Sequence, residues 1–363
     1  MLPDEKFLSE LINCQSITPD DAGACDVIAK YLNITPTIFD QNNTTNRLFE
    51  LNSHLPNPTK YLLFVGHTDV VPPGPSDQWH TPPFEYNSQD PIIARGIVDM
   101  KGAVWAFCRA AKIQAPKLNA KIGILLTSDE EGDGKDGIQT VVQKLTQARF
   151  KADYALVGEP TSIHQVGDCF KHARRGSYTI YVTLHGQQGH TAYPQNAWSP
   201  SIPLNDLLSD FTHFKSTLPH GHDASIFSLR TPTHTSNVIP DSIKIGINIR
   251  YFDFNIVDDC INMLLKHSTS IEKHPGALPY ISQPSTSKSA LENAILQTVN
   301  IVAKPSTIGG TSDARFLKPI SDEIIEFGLR SQFAHHINEQ APKQDLKNLL
   351  LIYENFLLNL LRT

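Results

Sequence analysis

YLLFVGHTD (61–69) ends an apolar run on a histidine and a carboxylate, and KIGILLTSDEEGDG (121–134) and DYALVGEP (153–160) repeat the device. Each run is short, aliphatic and stopped by Gly or polar residues, the pattern of a strand buried on both faces of a sheet. Between them, GAVWAFCRAAKIQ (102–114) and IQTVVQKLTQARF (138–150) carry apolar residues at helical spacing. Strands alternating with helices predict an α/β sheet covered on both faces. In such sheets, sites form outside the carboxyl ends of the strands. His67, Asp69, Asp129, Glu130, Glu131 and Glu159 all fall there.

The middle of the chain changes character. SYTIYVTLHG (177–186), SIFSLRT (225–231), SIKIGINIRYFD (242–253) and ALPYIS (277–282) read as strands, and 200–218 and 256–268 as helices. The order β-α-β-β-α-β predicts a ferredoxin-like α+β domain. The polar run SQPSTSKS (282–289) marks the return to the first domain, which closes on a helix over 345–363. The expected division is 1–175 with 286–363 for the first domain and 176–285 for the second.

At 363 residues, two domains are the better expectation, and the net charge of -6 supplies no broad basic face for nucleic acid. No apolar run approaches the roughly 18 residues that span a bilayer. The start, MLPDEKFLSE, lacks the basic and apolar regions of a signal peptide. Cys14, Cys25, Cys108, Cys169 and Cys260 are scattered, odd in number and in no C-x-x-C pair. Reduced thiols in a cytoplasm are the expectation.

The chemistry is carried by five stretches. HTDVVPPG (67–74) offers an imidazole at a strand end, with Asp69 two residues on to orient it. RGIVDMKG (95–102) sets Asp99 in a Gly-bounded loop before a helix, where an acid also serves as a plain N-cap. TSDEEGDG (127–134) places three consecutive acids at the mouth of a buried strand, where they repel one another unless cations compensate. VGEP (158–161) adds Glu159, and AHHINE (334–339) offers His335 or His336, between which spacing does not choose. Histidines and acids together, with a spare Glu beside a ligand Glu, are the parts of a two-zinc site with its own general base.

In this order the five stretches resemble the co-catalytic zinc peptidase/aminoacylase family, over nearly the whole chain. The resemblance implies a mixed sheet covered by helices as the catalytic domain, with the inserted domain serving as lid and dimerisation element. It implies two Zn2+ per subunit, with Co2+ able to substitute at one site. Asp99 then bridges, His67 and Glu159 serve one zinc, and Glu131 and His335 serve the other. His335 is selected by aligning H-x-x-N-E on Asn338 and Glu339. Glu130 becomes the general acid/base and Asp69 the orienter of His67. QGHTAYP (188–194) resembles the segment whose histidine holds the oxyanion, making His190 the candidate, supplied by the partner of a homodimer.

ARRGSYT (173–179), SNVIP (236–240) with NIRY (248–251), and GGTSDARF (309–316) look most like the family's desuccinylase branch. That implies a small anionic acyl-diamino-acid substrate. Arg174, Arg175, Ser177, Asn237, Arg250, Gly310 and Thr311 are then its candidate contacts through guanidinium forks and backbone N–H groups.

Two other motifs invite rival readings. Gly132 to Gly137 matches G-x-G-x-x-G, but five acids crowd the loop against Lys135 alone, and a pyrophosphate would be repelled. HGHD (220–223) resembles a metal cluster but is expected to be an exposed loop of the second domain.

Overall fold

The computed structural model describes residues 2–132, 134–232, 235–268, 270–282, 286–310 and 312–362. The chain divides into two compact units: Met1–Ala173, Ile281–Ser306 and Ser312–Thr363 form the larger, Arg174–Tyr280 and Thr307–Thr311 the smaller. Against the expected 176–285, the smaller unit begins two residues earlier, ends at Tyr280 and adds a short stretch after residue 306.

The larger unit is built on an eight-stranded mixed sheet. Its order is Thr37–Ile38, Asn46–Leu51, Lys121–Thr127, Tyr61–His67, Tyr154–Val157, Glu323–Glu326, Cys169–Lys171, Lys304–Ser306. The strand Tyr61–His67 lies between two parallel neighbours, with His67 level with Thr127 and Val65 level with both Leu125 and Val157. The three apolar runs therefore end side by side, and the polar residues that follow them emerge on one edge.

Leu62, Phe64, Ile122, Ile124 and Leu156 alternate into one core with helices Glu5–Asn13, Ala24–Leu32, Gly102–Gln114, Thr286–Val299 and Lys343–Leu361. Their neighbours Leu63, Val65, Leu125, Ala155 and Val157 are equally buried on the opposite face, as are Ile138, Val141, Val142 and Leu145 of helix Ile138–Gln147. This two-sided burial is why the runs read as continuous apolar sequence. Phe64 stacks on Phe107 at 4.1 Å, and Tyr353 donates its hydroxyl to the Phe327 carbonyl at 2.6 Å.

The smaller unit holds a four-stranded antiparallel sheet ordered Asp223–Arg230, Ser242–Tyr251, Gly176–His185, Ile271–Pro275. Helices Ser201–Thr217 and Asn255–Leu265 accompany it, which gives the split β-α-β arrangement. The last strand corrects the sequence reading. IEKHP pairs with Gly176–His185, whereas Tyr280–Ile281, within the expected 277–282, joins a separate two-stranded sheet with Ala173–Arg174. The cause is an exposed edge: four of the five residues of Ile271–Pro275 face solvent, so no apolar alternation marks the strand.

Candidate metal centre

Every residue assigned to metal lies in the larger unit, at the carboxyl edge of its sheet. His67 is the last residue of its strand, 1% exposed, and Glu159 follows the neighbouring strand by two residues. Asp99 arrives on the Arg95–Lys101 loop. That loop is pressed against the strand ends because Gly66 and Gly158 leave room for Met100. A Cβ at either glycine would stand within 2.5 Å of the methionine methyl carbon.

Asp99 is shared. Its Oδ1 lies 3.2 Å from His67 Nε2, and its Oδ2 lies 3.4 Å from His335 Nε2. Glu159 Oε1 is 3.8 Å from the same His67 nitrogen, and Glu131 Oε1 is 2.7 Å from that of His335. Among the described residues, three groups have one ligand atom each within 4.8 Å of one another: His67–Asp99–Glu159, Asp99–Glu131–His335 and His67–Glu130–Glu131. His336, the alternative, joins none of these groups. His335 has φ +64°, an uncommon left-handed conformation for a residue with a side chain.

Asp69 faces His67 with two of its oxygens. The nearest oxygen to His67 Nδ1 is the Asp69 backbone carbonyl at 2.8 Å, with the carboxylate 3.6 Å away. The fully buried carboxylate instead accepts the Glu130 and Glu131 N–H groups at 3.4 and 3.0 Å. On an extended chain the carbonyl of the second residue is already within reach of the ring. The longer side chain continues to the acidic loop.

The electrostatics are those of an excess of carboxylates. Burial alone would lower the His67 pKa, but the Asp99 hydrogen bond and the charges of Asp69, Glu130 and Asp99 hold it well above its ordinary value. Hydrogen bonds that Asp99 and Glu131 accept from His335 raise it to about 10. Burial works to raise Asp99, but bonds to His335 and His67 keep it well below the carboxylate range. Burial and then the charge of Glu159 push Glu130 well up, and burial lifts Asp313 to about 7.

Without metal, the surrounding carboxylates favour the protonated form of both imidazoles. The donor set of imidazole nitrogens and carboxylate oxygens is what zinc takes. Because metal binds neutral imidazole, loading should release protons from His67 and His335. Calorimetric zinc titrations in buffers of different ionisation enthalpy should reveal that release, and enthalpies independent of buffer would refute it. The sign for stability follows from His335. Its folded pKa is above the unfolded value, so its contribution is full below about pH 6.5. In metal-free protein that contribution is lost as pH rises through about 10.

Sequence reasoning passed over several supports. Lys101 is 1% exposed and donates to the Cys14 carbonyl at 2.7 Å; burial lowers its pKa to about 8. Glu339 was used only to align the terminal histidine, yet it is 1% exposed and paired with Arg95 Nη1 at 2.7 Å. The signal for it was RGIVDMKG itself, where a buried Arg demands a buried acid.

The remaining candidates sit in the smaller unit. Gly189–His190 pairs antiparallel with Val238–Ile239, and the Asn237 carbonyl accepts the Thr191 N–H at 3.1 Å, so His190 and Asn237 sit on one two-stranded ladder. His190 Nδ1 accepts the Ala192 N–H at 3.0 Å. Arg174 is 7% exposed and donates to the Gly310 carbonyl at 2.6 Å, and Arg175 Nε is buried without a hydrogen-bond partner. Ser177 and Arg250 are directly opposite across two strands, and Ser177 Oγ accepts from Asn248 at 3.1 Å. Thr311 lies outside the described residues.

Neither rival motif keeps its chemistry. In the G-x-G-x-x-G loop the Asp136 N–H donates to Asp129 at 3.0 Å, and just before it the Glu130 and Glu131 N–H groups serve Asp69. These three backbone donors are thus turned to carboxylates. In HGHD, His222 Nε2 accepts the Asp253 N–H at 3.3 Å and Asp223 pairs with Lys215 at 3.0 Å.

A sequence profile of peptidase family M20/M25/M40 matches residues 63–359. The chain belongs to that family. Among similar proteins, one from Ehrlichia canis named succinyl-diaminopimelate desuccinylase is 37% identical, covering 97% of each chain. One of the same name from Marinobacter nauticus is 35% identical over 99% of each. Of solved structures, an M20 family metallo-carboxypeptidase from Sulfolobus solfataricus aligns over 99% of both chains, with TM-score 0.73 at 17% identity. An aminopeptidase PepT from Bacillus cereus aligns over 98% of this chain and 97% of its own, with TM-score 0.75 at 14% identity. These two likenesses are of fold. No helix among the described residues of this family member is long and apolar enough to cross a membrane.

Proposed function

We propose that the chain hydrolyses the amide bond of N-succinyl-LL-2,6-diaminopimelate, releasing succinate and LL-2,6-diaminopimelate, with two zinc ions per subunit. One observation carries the reading: Asp99 lies between a His67–Glu159 group and a His335–Glu131 group, with Glu130 beside them. The desuccinylase relatives, similar over nearly their whole length, supply the substrate.

His67 and Glu159 would hold one ion and Glu131 and His335 the other, with Asp99 available to both; Co2+ could replace zinc at one of them. Bound there, two zinc ions would supply Lewis-acid chemistry, polarising an amide carbonyl and acidifying water. Glu130 is the general base that takes a proton from the attacking water and the general acid that returns it to the departing amine nitrogen. A buried carboxyl whose pKa is pushed up is suited to both halves of that transfer.

His190 stabilises the oxyanion. Since its Nδ1 accepts the Ala192 N–H, a neutral ring carries its proton on Nε2, which leaves one N–H donor to offer. We assign that donor to a second copy of the chain, in a homodimer formed through the smaller unit. Arg174, Arg175, Ser177, Asn237, Arg250, Gly310 and Thr311 serve the carboxylates of the substrate. The enzyme works in the cytoplasm, where its five free thiols stay reduced.

The test is turnover by zinc-loaded protein of N-succinyl-LL-diaminopimelate against N-acetylornithine. A higher kcat/KM for the succinyl substrate is expected, and the reverse order would reassign the chain to deacetylation. His190→Ala should lower kcat by roughly 100- to 1,000-fold, the effect of losing one oxyanion donor. A change confined to KM would contradict that role.

A further inference from the structure

Two loops far apart in sequence supply the shared Asp99 and the terminal His335 of the candidate metal centre, and one buried carboxylate joins them. Glu339 lies four residues after His335 and is 1% exposed. Its Oε2 accepts Arg95 Nη1 at 2.7 Å and the Gly96 N–H at 2.8 Å. Its Oε1 accepts the Val98 N–H at 2.8 Å and the N–H of Asp99 itself at 3.1 Å. Four donors converge on it, so the pocket fits the ionised form, although burial pushes the carboxyl's pKa up against the pull of Gly96, Arg95 and Val98.

The histidine side of the same segment is tied down around Glu339. Arg95 Nη1 also donates to the His336 carbonyl at 3.2 Å, and the Ala94 N–H donates to the Glu339 carbonyl at 2.9 Å. Asn338, at φ +61°, accepts the His80 N–H at 2.7 Å and donates to the Gln78 carbonyl at 3.1 Å. Gln340–Ala341 then pairs with Ile92–Ile93. The left-handed conformations at His335 and Asn338 persist because both ends of the turn are held.

We propose that Glu339 is a positioning residue for both metals at once: it fixes the backbone of Asp99 so that each carboxylate oxygen meets one histidine, and it sets the His335 turn against the same loop. The proposal rests on the two-metal reading of the site. It separates Glu339 from the ligands by its effect. Losing a ligand of one metal weakens that metal, whereas losing Glu339 loosens the shared Asp99 and weakens both. Loss of an outer partner of a metal ligand lowers affinity by about 10- to 100-fold.

The experiment is competitive zinc titration against a chromophoric chelator, comparing wild type with Glu339→Gln and Arg95→Lys. Glu339→Gln is expected to weaken both zinc sites by about 10- to 100-fold. Arg95→Lys keeps the three backbone anchors on Glu339, so it should keep both affinities within a few-fold while lowering the melting temperature. Loss of affinity in Arg95→Lys equal to that in Glu339→Gln would reduce Glu339 to one half of a structural ion pair and overturn the proposal. So would unchanged affinities in Glu339→Gln.

Glu339→Gln leaves a buried guanidinium without its counter-charge and can fail to fold. Amide exchange in metal-free wild type therefore provides the second measurement. The Gly96, Val98 and Asp99 N–H groups should stay protected without metal, because Glu339 rather than zinc holds them; fast exchange there would overturn the proposal. If wild type takes up no zinc, the metal reading fails by itself, and the exchange result still judges Glu339.

Discussion

Glu130→Gln should bind zinc as wild type does and lose roughly 100- to 10,000-fold in kcat, the range for removing a general acid/base. That is a barrier increase of roughly 3–5 kcal/mol. The amide is nearly isosteric with the carboxylate, and the two histidine–carboxylate groups sharing Asp99 do not include Glu130, so the ligands stay in place. What disappears is a carboxyl able to accept a proton and release it again. Kinetics under saturating zinc, with metal content measured on the same sample, decide the point. Near-normal turnover would end the assignment, and loss of metal would move Glu130 from base to ligand.

The second large effect concerns the shared carboxylate. Asp99→Ala should weaken both zinc sites, each by more than the roughly 100-fold that an outer partner contributes. His335→Ala should weaken one site alone. The difference follows from geometry: the oxygens of Asp99 face different histidines, at 3.2 and 3.4 Å, whereas His335 faces only Glu131 and Asp99. Stepwise zinc titration monitored by metal content distinguishes the outcomes. Unchanged occupancy in His335→Ala would direct attention to His336, which is exposed and stands beside Phe333, outside the three ligand groups. Loss at one site only in Asp99→Ala would show that Asp99 serves a single ion.

The zinc-site variants and His190→Ala test independent parts of the chemistry. The former act on binding of the ions, the latter on the transition state. A kcat defect in His190→Ala with full metal content would therefore add to the Glu130 result and not duplicate it.

The legible part of this protein was the part written locally. Three apolar runs stopped by polar residues identified the sheet, since a strand buried on both faces has no room for anything else. A polar residue at its tip has nowhere to go but the carboxyl edge. His67, Glu131 and Glu159 could be placed by that reasoning alone. What stayed hidden was carried by residues whose partners lie far along the chain. Glu339 meets Arg95 across more than 240 positions, and nothing in H-x-x-N-E announces that its acid reaches the Asp99 backbone. Asp69 shows the same limit at shorter range, because which of its oxygens turns to His67 and which to the acidic loop depends on where that loop sits.

The edge strand Ile271–Pro275 was invisible for the opposite reason. Strand signals in sequence record burial, and an edge that faces water records only its charges. Sequence alone therefore determined the α/β class, the split β-α-β insertion and the kinds of residue at the site, because each follows from periodicity or from the order of elements. The resemblance had already pointed to His335 and to a shared Asp99; the distances that set Asp99 between His67 and His335, and the buried carboxylate that joins the Asp99 and His335 loops, come only from tertiary structure. They are matters of distance between side chains brought together only when the strands align, and no local rule measures a distance across 200 residues.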